Sequence, residues 1–100
     1  MKPTIEINGR KIGPGYDTYV IAELSGNHNG DFDRAVALIK AAKESGVDAV
    51  KMQTYTADTL TIDSDAPPFQ VPAENTWAGE TLHSLYQQAY TPWEWQPKLK

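Results

Sequence analysis

Several features that mark particular classes of protein are missing from this chain. Its 100 residues include no cysteine, which excludes a disulfide framework and a thiolate zinc site. No apolar run approaches the roughly 18 residues that a membrane-spanning helix needs. Lys and Arg number 9 against 13 Asp and Glu, so the net charge of -4 provides no basic footprint for nucleic acid or anionic lipid. The opening "MKPTIEINGRK" lacks the apolar segment of a signal peptide, and we expect a cytoplasmic protein.

The residues that are present favour a folded chain that begins with a hairpin. Apolar residues make up 40% and charged residues 22%, which is typical of globular proteins. Apolar and polar residues alternate in "TIEINGRKI" around Asn8-Gly9. Because Asn-Gly is the strongest signal for a two-residue turn, we predict a β-hairpin from about Thr4 to Ile12. With the connector "GPGYD", it forms the first expected unit, residues 1–15.

A strand, a helix and a second strand are predicted between Tyr19 and Thr54. "YVIAEL" is a short, β-rich apolar run, Asp31 is placed to cap a helix, and Gly46 is placed to end it. "VDAVKMQT" is the second strand. This order predicts one βαβ unit with parallel strands.

The last part of the chain is predicted to be a long loop followed by two helices. The loop after Tyr55 has no sustained period, whereas "ETLHSLYQQAY" returns to helical spacing. In "TPWEW", Thr91 and Glu94 have the spacing of a capping box that opens another helix. That helix has hardly begun at Lys100, and two parallel strands cannot cover both faces of a sheet. We therefore expect the front part of a longer α/β protein.

Polar side chains stand where the two predicted parallel strands end. Glu23 ends the first strand, and Lys51 and Gln53 share one face of the second because side chains alternate along a strand. A buried ammonium is costly unless it meets an anion, so a substrate phosphate or carboxylate is one explanation for Lys51. A structural ion pair with Glu23, or a lysine that extends to solvent, are the alternatives.

The histidines and loop acids give weaker signals. His28, in "SGNHNG", lies next to the presumed site and could contact a ligand or hydrogen-bond its own loop. We expect His83 on a helix surface and Asp58, Asp63 and Asp65 in solvent, with no metal-ligand group within this chain.

The three tryptophans differ in their expected surroundings. Trp93 and Trp95 are expected to be partly buried beside the last helix, whereas Trp77 stands in the long loop. Trp77 is therefore the better candidate for a contact with a substrate or partner.

Two segments of the chain resemble a known family. "YVIAELSGNHNGDFDRAVALIKAAKESGVDAVKMQTYTADTLT" looks like the front end of the nonulosonic (sialic) acid synthases. The pairing of "AELSGNHNG" with "KMQTYTADTLT", followed by "LYQQAYTPWEW", resembles pseudaminic acid synthases more than N-acetylneuraminate synthases. The likeness runs from about Tyr19 to Trp95.

The resemblance implies a (β/α)8 TIM barrel preceded by the β-hairpin, with residues 16–100 forming the first two β/α units of an incomplete barrel. It implies a reaction of phosphoenolpyruvate with an N-acetylated amino sugar that gives a nonulosonic acid and phosphate. It also implies a divalent metal, Mn²⁺ or Mg²⁺, whose ligands lie outside this chain, and a homodimer at full length. The 100-residue piece alone is predicted to be inactive.

The same resemblance implies roles for individual residues. Glu23 is similar to the carboxylate beside the reacting carbons, Lys51 to the lysine that pairs with phosphoenolpyruvate, and Gln53 to the amide that contacts phosphate or sugar. Asn27 and His28 lie in the matching loop and are assigned to substrate binding. The long loop departs from the family's pattern, so no role is transferred to it; by its position it is a candidate to carry Asn75 or Trp77 to the sugar.

Two alternatives stay open at this point. One keeps the fold and uses N-acetylmannosamine to make N-acetylneuraminate. The other is a small non-catalytic α/β interaction module. The missing strands and the interrupted helix argue against it.

Overall fold

The structure is a computed structural model that describes residues 3–100, so Met1 and Lys2 of the predicted unit 1–15 lie outside the described residues. It is a mixed α/β chain with two small two-stranded sheets. Strands β1 (Ile5–Ile7) and β2 (Arg10–Ile12) pair antiparallel. Asn8 (φ 50°) and Gly9 (φ 82°) both adopt the left-handed conformation that a two-residue turn between such strands requires.

The second sheet holds the βαβ unit. Strand β3 (Ile21–Ser25) leads through helix α1 (Phe32–Glu44) to strand β4 (Ala49–Met52), and β3 and β4 pair in parallel as predicted. The Asp31 side chain accepts a hydrogen bond from the Arg34 N–H at 3.1 Å, which confirms the predicted helix cap.

The two sheets are joined at the end of β3–β4 where the strands begin. Asp48, directly before β4, accepts a hydrogen bond from the Val20 N–H at 2.8 Å and forms an ion pair with Arg10 of β2. The Arg10 guanidinium also donates to the Thr18 carbonyl at 3.2 Å. This contact fixes the end of the sheet opposite to the one that carries Glu23 and Gln53.

The remaining elements are short. They are helix α2 (Ala57–Leu60), a 3₁₀ helix (Pro67–Phe69), helix α3 (Leu82–Gln88), a second 3₁₀ helix (Trp93–Trp95) and helix α4 (Gln96–Leu99). Helix α2 packs against α3. Among the described helices, none has the length and apolar character needed to cross a bilayer.

The predicted capping box in "TPWEW" is wrong. The second 3₁₀ helix has Pro92 at its N-cap and no side-chain capping bond, and the Thr91 hydroxyl instead meets His28. Thr91 is fully buried, so its hydroxyl is used for a contact within the fold and not for a helix end.

Two predictions about exposure are also wrong. His83, expected on the surface, is 8% exposed, and its Nε2 lies 2.8 Å from Asp58 Oδ1. A polar ring packed between two helices needs a hydrogen-bond partner, and Asp58 on α2 supplies one. Trp93, expected to be partly buried, is 76% exposed, whereas Trp95 packs edge-to-face on Phe32 with 5.4 Å between ring centroids.

Candidate functional site

Three of the residues predicted from the sequence meet at the carboxyl ends of β3 and β4. The register places Glu23 beside Lys51 on the neighbouring strand. Lys51 Nζ lies 3.5 Å from Glu23 Oε1, and the Gln53 side-chain amide donates to the same oxygen at 2.6 Å. One carboxylate oxygen therefore receives both a cation and an amide donor.

This cluster is open to solvent. The Lys51 side chain is 61% exposed and the Glu23 side chain 43% exposed. Exposed ion pairs contribute about 0–1 kcal/mol, so an anion can draw the ammonium away at little energetic cost. The structural ion pair and the ligand-binding role, which were alternatives from sequence, are compatible in this geometry.

A backbone irregularity ends β3 beside the cluster. The pairing register shifts between Glu23 and Ser25, and Ser25 has φ 47°, a left-handed conformation that is uncommon for a residue with a side chain. Residues held in this way concentrate at functional sites, where the surrounding structure maintains them. The shift turns the chain out of the strand and into the "SGNHNG" loop.

A cavity of about 590 Å³ adjoins the cluster. Gln53 and Asn27 are the predicted site residues that line it, whereas Glu23 and Lys51 lie outside its lining. Among residues 3–100, Arg34 is the cation that lines the cavity, and no carboxylate lines it. The other lining residues are small, amide, aromatic or, in one case, aliphatic: Ser25, Gly26, Asn29, Tyr55, Thr76, Trp77, Leu85, Tyr86 and Ala89. This composition suits a polar, neutral or anionic small molecule.

The aromatic wall of the cavity is held by specific contacts. Tyr55 and Tyr86 meet edge-to-face with 5.6 Å between ring centroids. Burial raises the pKa of Tyr55, and the neighbouring Tyr86 raises it further, which keeps its phenol neutral. Trp77 reaches the cavity, and the Asn75 carboxamide oxygen accepts a hydrogen bond from the Trp77 backbone N–H at 3.0 Å. Of the two loop candidates, Trp77 lines the cavity and Asn75 fixes the turn beneath it.

Asn27 and Arg34 form one side of the cavity together. Asn27 is exposed, its N–H donates to the Leu24 carbonyl at 3.1 Å, and its own carbonyl accepts from Arg34 Nε at 2.9 Å. The Asn27 side chain is left free to meet a ligand. Arg34 is in turn held at the first turn of α1, facing the loop.

His28 is placed differently from the other candidates. Its side chain is fully buried, and Nδ1 accepts a hydrogen bond from the Gly30 N–H at 3.0 Å. The ring proton must then be on Nε2, which donates to the Thr91 hydroxyl at 2.9 Å. Burial lowers the pKa of His28 below 6.5, which favours the neutral ring. The structure therefore directs His28 into the fold and does not bring it to Glu23 or Lys51.

Within residues 3–100, no three His, Asp or Glu side chains are grouped so that they could hold a metal ion. The exposed acids of the loop serve other contacts. Asp58 and Asp63 flank His83, with Asp63 Oδ1 3.9 Å from its Nδ1.

Sequence reasoning missed three features of the site. Tyr55 continues the alternation of Lys51 and Gln53, and that period could have placed it beside them. Arg34 comes three residues after the cap Asp31, and this spacing places its side chain on the face of the helix that lies next to the loop. Thr91 carried no usable signal, because its contact with His28 joins residues that are far apart in the sequence.

Comparison with known proteins decides the family. The sequence profile of the NeuB family matches residues 38–100, well over half of the chain. The chain belongs to the NeuB family. This agrees with the likeness to nonulosonic acid synthases in "AELSGNHNG" and "KMQTYTADTLT".

Curated relatives carry the names of nonulosonic acid synthases. The chain is 46% identical over 81 residues to pseudaminic acid synthase of Campylobacter jejuni, which is 81% of this chain and 23% of that protein. It is 46% identical over 80 residues to pseudaminic acid synthase of Helicobacter pylori, 80% of this chain and 23% of that protein. It is 55% identical over 56 residues to N,N'-diacetyllegionaminic acid synthase of Legionella pneumophila, 55% of this chain and 16% of that protein. The chain therefore spans about a quarter of the length of the first two relatives.

Proposed function

We propose that this chain is the front part of an enzyme that condenses phosphoenolpyruvate with an N-acetylated amino sugar. The products are a nonulosonic acid of the pseudaminic acid type and inorganic phosphate. Membership of the NeuB family and the names of the relatives support this reaction class. The observation that carries the proposal is the meeting of Glu23, Lys51 and Gln53 at the carboxyl ends of adjacent parallel strands, where α/β enzymes hold their chemistry.

Each residue of the cluster has a role that suits its chemistry. The exposed Lys51 ammonium binds an anionic group of phosphoenolpyruvate and leaves Glu23 to do so. The Gln53 amide orients the Glu23 carboxylate and contacts phosphate or sugar. Glu23, with one oxygen oriented in this way, accepts or delivers a proton of the attacking water or of a sugar hydroxyl.

The proposed reaction balances as follows. The alkene carbon of phosphoenolpyruvate forms a new bond to the aldehyde carbon of the open-chain sugar. Water adds at the carbon that carries the phosphate, and the bond between that carbon and the phosphate oxygen breaks. Inorganic phosphate leaves, and the oxygen of the water remains as the keto group. The aldehyde C=O double bond opens to a hydroxyl, and the two protons of the water pass to that oxygen and to the departing phosphate.

The cavity beside Gln53 is the proposed place for the amino sugar. Trp77 and Tyr55 offer apolar faces, and Asn27 offers an amide for hydroxyl or acetamido groups. His28 enters this proposal as a support of the loop and not as a substrate contact, since both of its ring nitrogens are bonded within the chain.

The remaining parts of the proposal concern the longer protein. We propose a (β/α)8 barrel in which residues 16–100 supply the first two β/α units after the unit 1–15, and a cytoplasmic homodimer. The resemblance implies a divalent metal, but the described residues contain no group of three side chains that could bind one. None of the steps above therefore uses the metal.

The test is an assay of the full-length protein with phosphoenolpyruvate, Mn²⁺ or Mg²⁺, and a panel of 2-acetamido sugars that includes N-acetylmannosamine. We expect phosphate release that depends on both substrates and a nine-carbon keto acid identified by mass. Turnover of N-acetylmannosamine alone would assign the N-acetylneuraminate reaction in place of the pseudaminic type. The proposal would be contradicted if none of the sugars in the panel gave phosphate release.

A further inference from the structure

A fully buried threonine connects the "SGNHNG" loop with the residues that carry the proposed chemistry. Thr91 has no exposed surface, and its hydroxyl and its backbone N–H are both used in long-range contacts. Its hydroxyl accepts the hydrogen bond from His28 Nε2 at 2.9 Å. Its N–H donates to the Gln53 carbonyl at 2.7 Å.

The loop side of this connection is tightly fixed. His28 is held by the Gly30 N–H on one nitrogen and by Thr91 on the other. Trp95 packs edge-to-face on its ring, with 5.1 Å between centroids. The loop also approaches the backbone next to Thr91: a side chain at Gly26 would bring its Cβ to 2.5 Å from the Ala89 carbonyl oxygen.

The other side of the connection leads to the carboxylate. Gln53 is the second residue after Lys51, and its backbone carbonyl is held by Thr91. Its side-chain amide donates to Glu23 at 2.6 Å, so a displacement of the Gln53 backbone also moves a hydrogen-bond donor of Glu23. The contacts thus run without a break from His28 through Thr91 and Gln53 to Glu23.

We propose that Thr91 is a positioning residue that holds the Gln53 amide on Glu23, with His28 as its anchor. The proposal rests on the function given above, because it assigns Thr91 a part in that reaction. Thr91 has no path to a substrate and acts through Gln53. Loss of its hydroxyl leaves the buried Nε2–H of His28 without an acceptor, so the segment that carries the Thr91 N–H moves and takes Gln53 with it.

The first test uses the full-length protein with Thr91→Val, which keeps the volume and the N–H but removes the hydroxyl. A displacement of about 1 Å at reacting groups can cost about a hundredfold in rate, so we expect kcat to fall about tenfold or more. The KM for phosphoenolpyruvate should change less than kcat does, because Lys51 is untouched. Thr91→Ser should restore kcat, and the exposed Thr4→Val should leave it unchanged.

A merely structural role is excluded by repeating the substitution in a Gln53→Met background. If Thr91 acts through Gln53, then Thr91→Val has no further effect on kcat once the amide is gone. If Thr91→Val only lowers the folded fraction, the same loss appears in both backgrounds, and the inference is overturned. Normal kcat for Thr91→Val overturns it as well.

A crystal structure of full-length Thr91→Val separates this inference from the proposed function. We expect the distance between Gln53 Nε2 and Glu23 Oε1 to increase beyond hydrogen-bonding range. An unchanged contact refutes the positioning role, even if the enzyme is active. If the wild-type protein shows no synthase activity, the proposed function fails, and this distance alone decides whether Thr91 positions Gln53.

Discussion

Two neighbouring regions of the molecule use polar side chains in opposite ways. At the open edge of β3–β4, Lys51 and Glu23 are exposed and loosely paired at 3.5 Å. In the loop that follows β3, His28 is fully buried and hydrogen-bonded to Thr91, which is fully buried as well. An exposed pair can exchange its partner for a ligand, whereas a buried pair that loses one partner leaves the other unsatisfied. We therefore expect substrate binding and catalysis at the first region, and structural support of the loop at the second.

The largest effect should come from the exposed edge. Lys51→Met in the full-length protein removes the cation that meets phosphoenolpyruvate, and we expect kcat/KM for that substrate to fall about a hundredfold or more. The matched control is Lys40→Met on the exposed side of α1, which should keep kcat/KM within about twofold. Steady-state kinetics measures both. Near-normal kinetics for Lys51→Met would contradict the assignment of ligand binding to the exposed region.

The next effect should come from the contact beneath the buried region. Gly26→Ala forces a Cβ against the Ala89 carbonyl oxygen, a backbone atom that cannot swing aside, so we expect a loss of about 1–3 kcal/mol in the free energy of unfolding. Gly15→Ala is the control for backbone conformation alone. Its Cβ meets nothing within 4 Å and only the left-handed φ of 85° is strained.

Denaturant unfolding of both glycine variants in the full-length protein measures these costs. Gly26 lacks a positive φ, so a loss in Gly26→Ala reports the steric contact, whereas a loss in Gly15→Ala reports the left-handed conformation. A wild-type free energy of unfolding for Gly26→Ala would mean that the loop does not depend on its close approach to Ala89.

The smallest effect concerns pH and sharpens the account of His28. Burial places the pKa of His28 below its ordinary value of 6.5. As the pH falls through about 6.5, the ring is therefore protonated in the unfolded chain while it stays neutral in the folded chain. The stability that the neutral ring contributes is therefore fully present above about pH 6.5 and is lost as the pH falls below it. A His28→Gln variant should be less stable at neutral pH and should lack this acid-side loss.

The matched control for the pH experiment is His83→Gln, which keeps His28 in place and should retain the acid-side loss. The free energy of unfolding is measured for all three proteins between about pH 5 and 8. An identical pH profile for wild type and His28→Gln would show that the ring does not titrate in this way.

Sequence periodicity predicted the elements that depend on local signals. The Asn8-Gly9 turn, the Asp31 cap and the parallel pairing of the two strands follow from short-range rules about φ and hydrogen bonding. Alternation along β4 also placed Lys51 and Gln53 on the face that meets Glu23. These parts could be predicted because each depends on neighbours in the chain or on one strand pairing.

The errors arose where a distant contact competes with a local one. Thr91 fits a capping box, but its hydroxyl is used by a histidine of a remote loop. His83 lies in a polar helix, but α2 covers it and Asp58 meets its ring. A local sequence pattern does not determine which of two possible hydrogen-bond partners a side chain binds. The burial of Thr91 and His83 by distant parts of the chain could therefore not be predicted.

The most direct test of the central claim is a crystal structure of the full-length protein with phosphoenolpyruvate bound. We predict that Lys51 Nζ leaves Glu23 and lies within hydrogen-bonding distance of a phosphate or carboxylate oxygen of the ligand, with His28 still on Thr91. Phosphoenolpyruvate bound elsewhere, with the Lys51–Glu23 contact intact, would contradict the account.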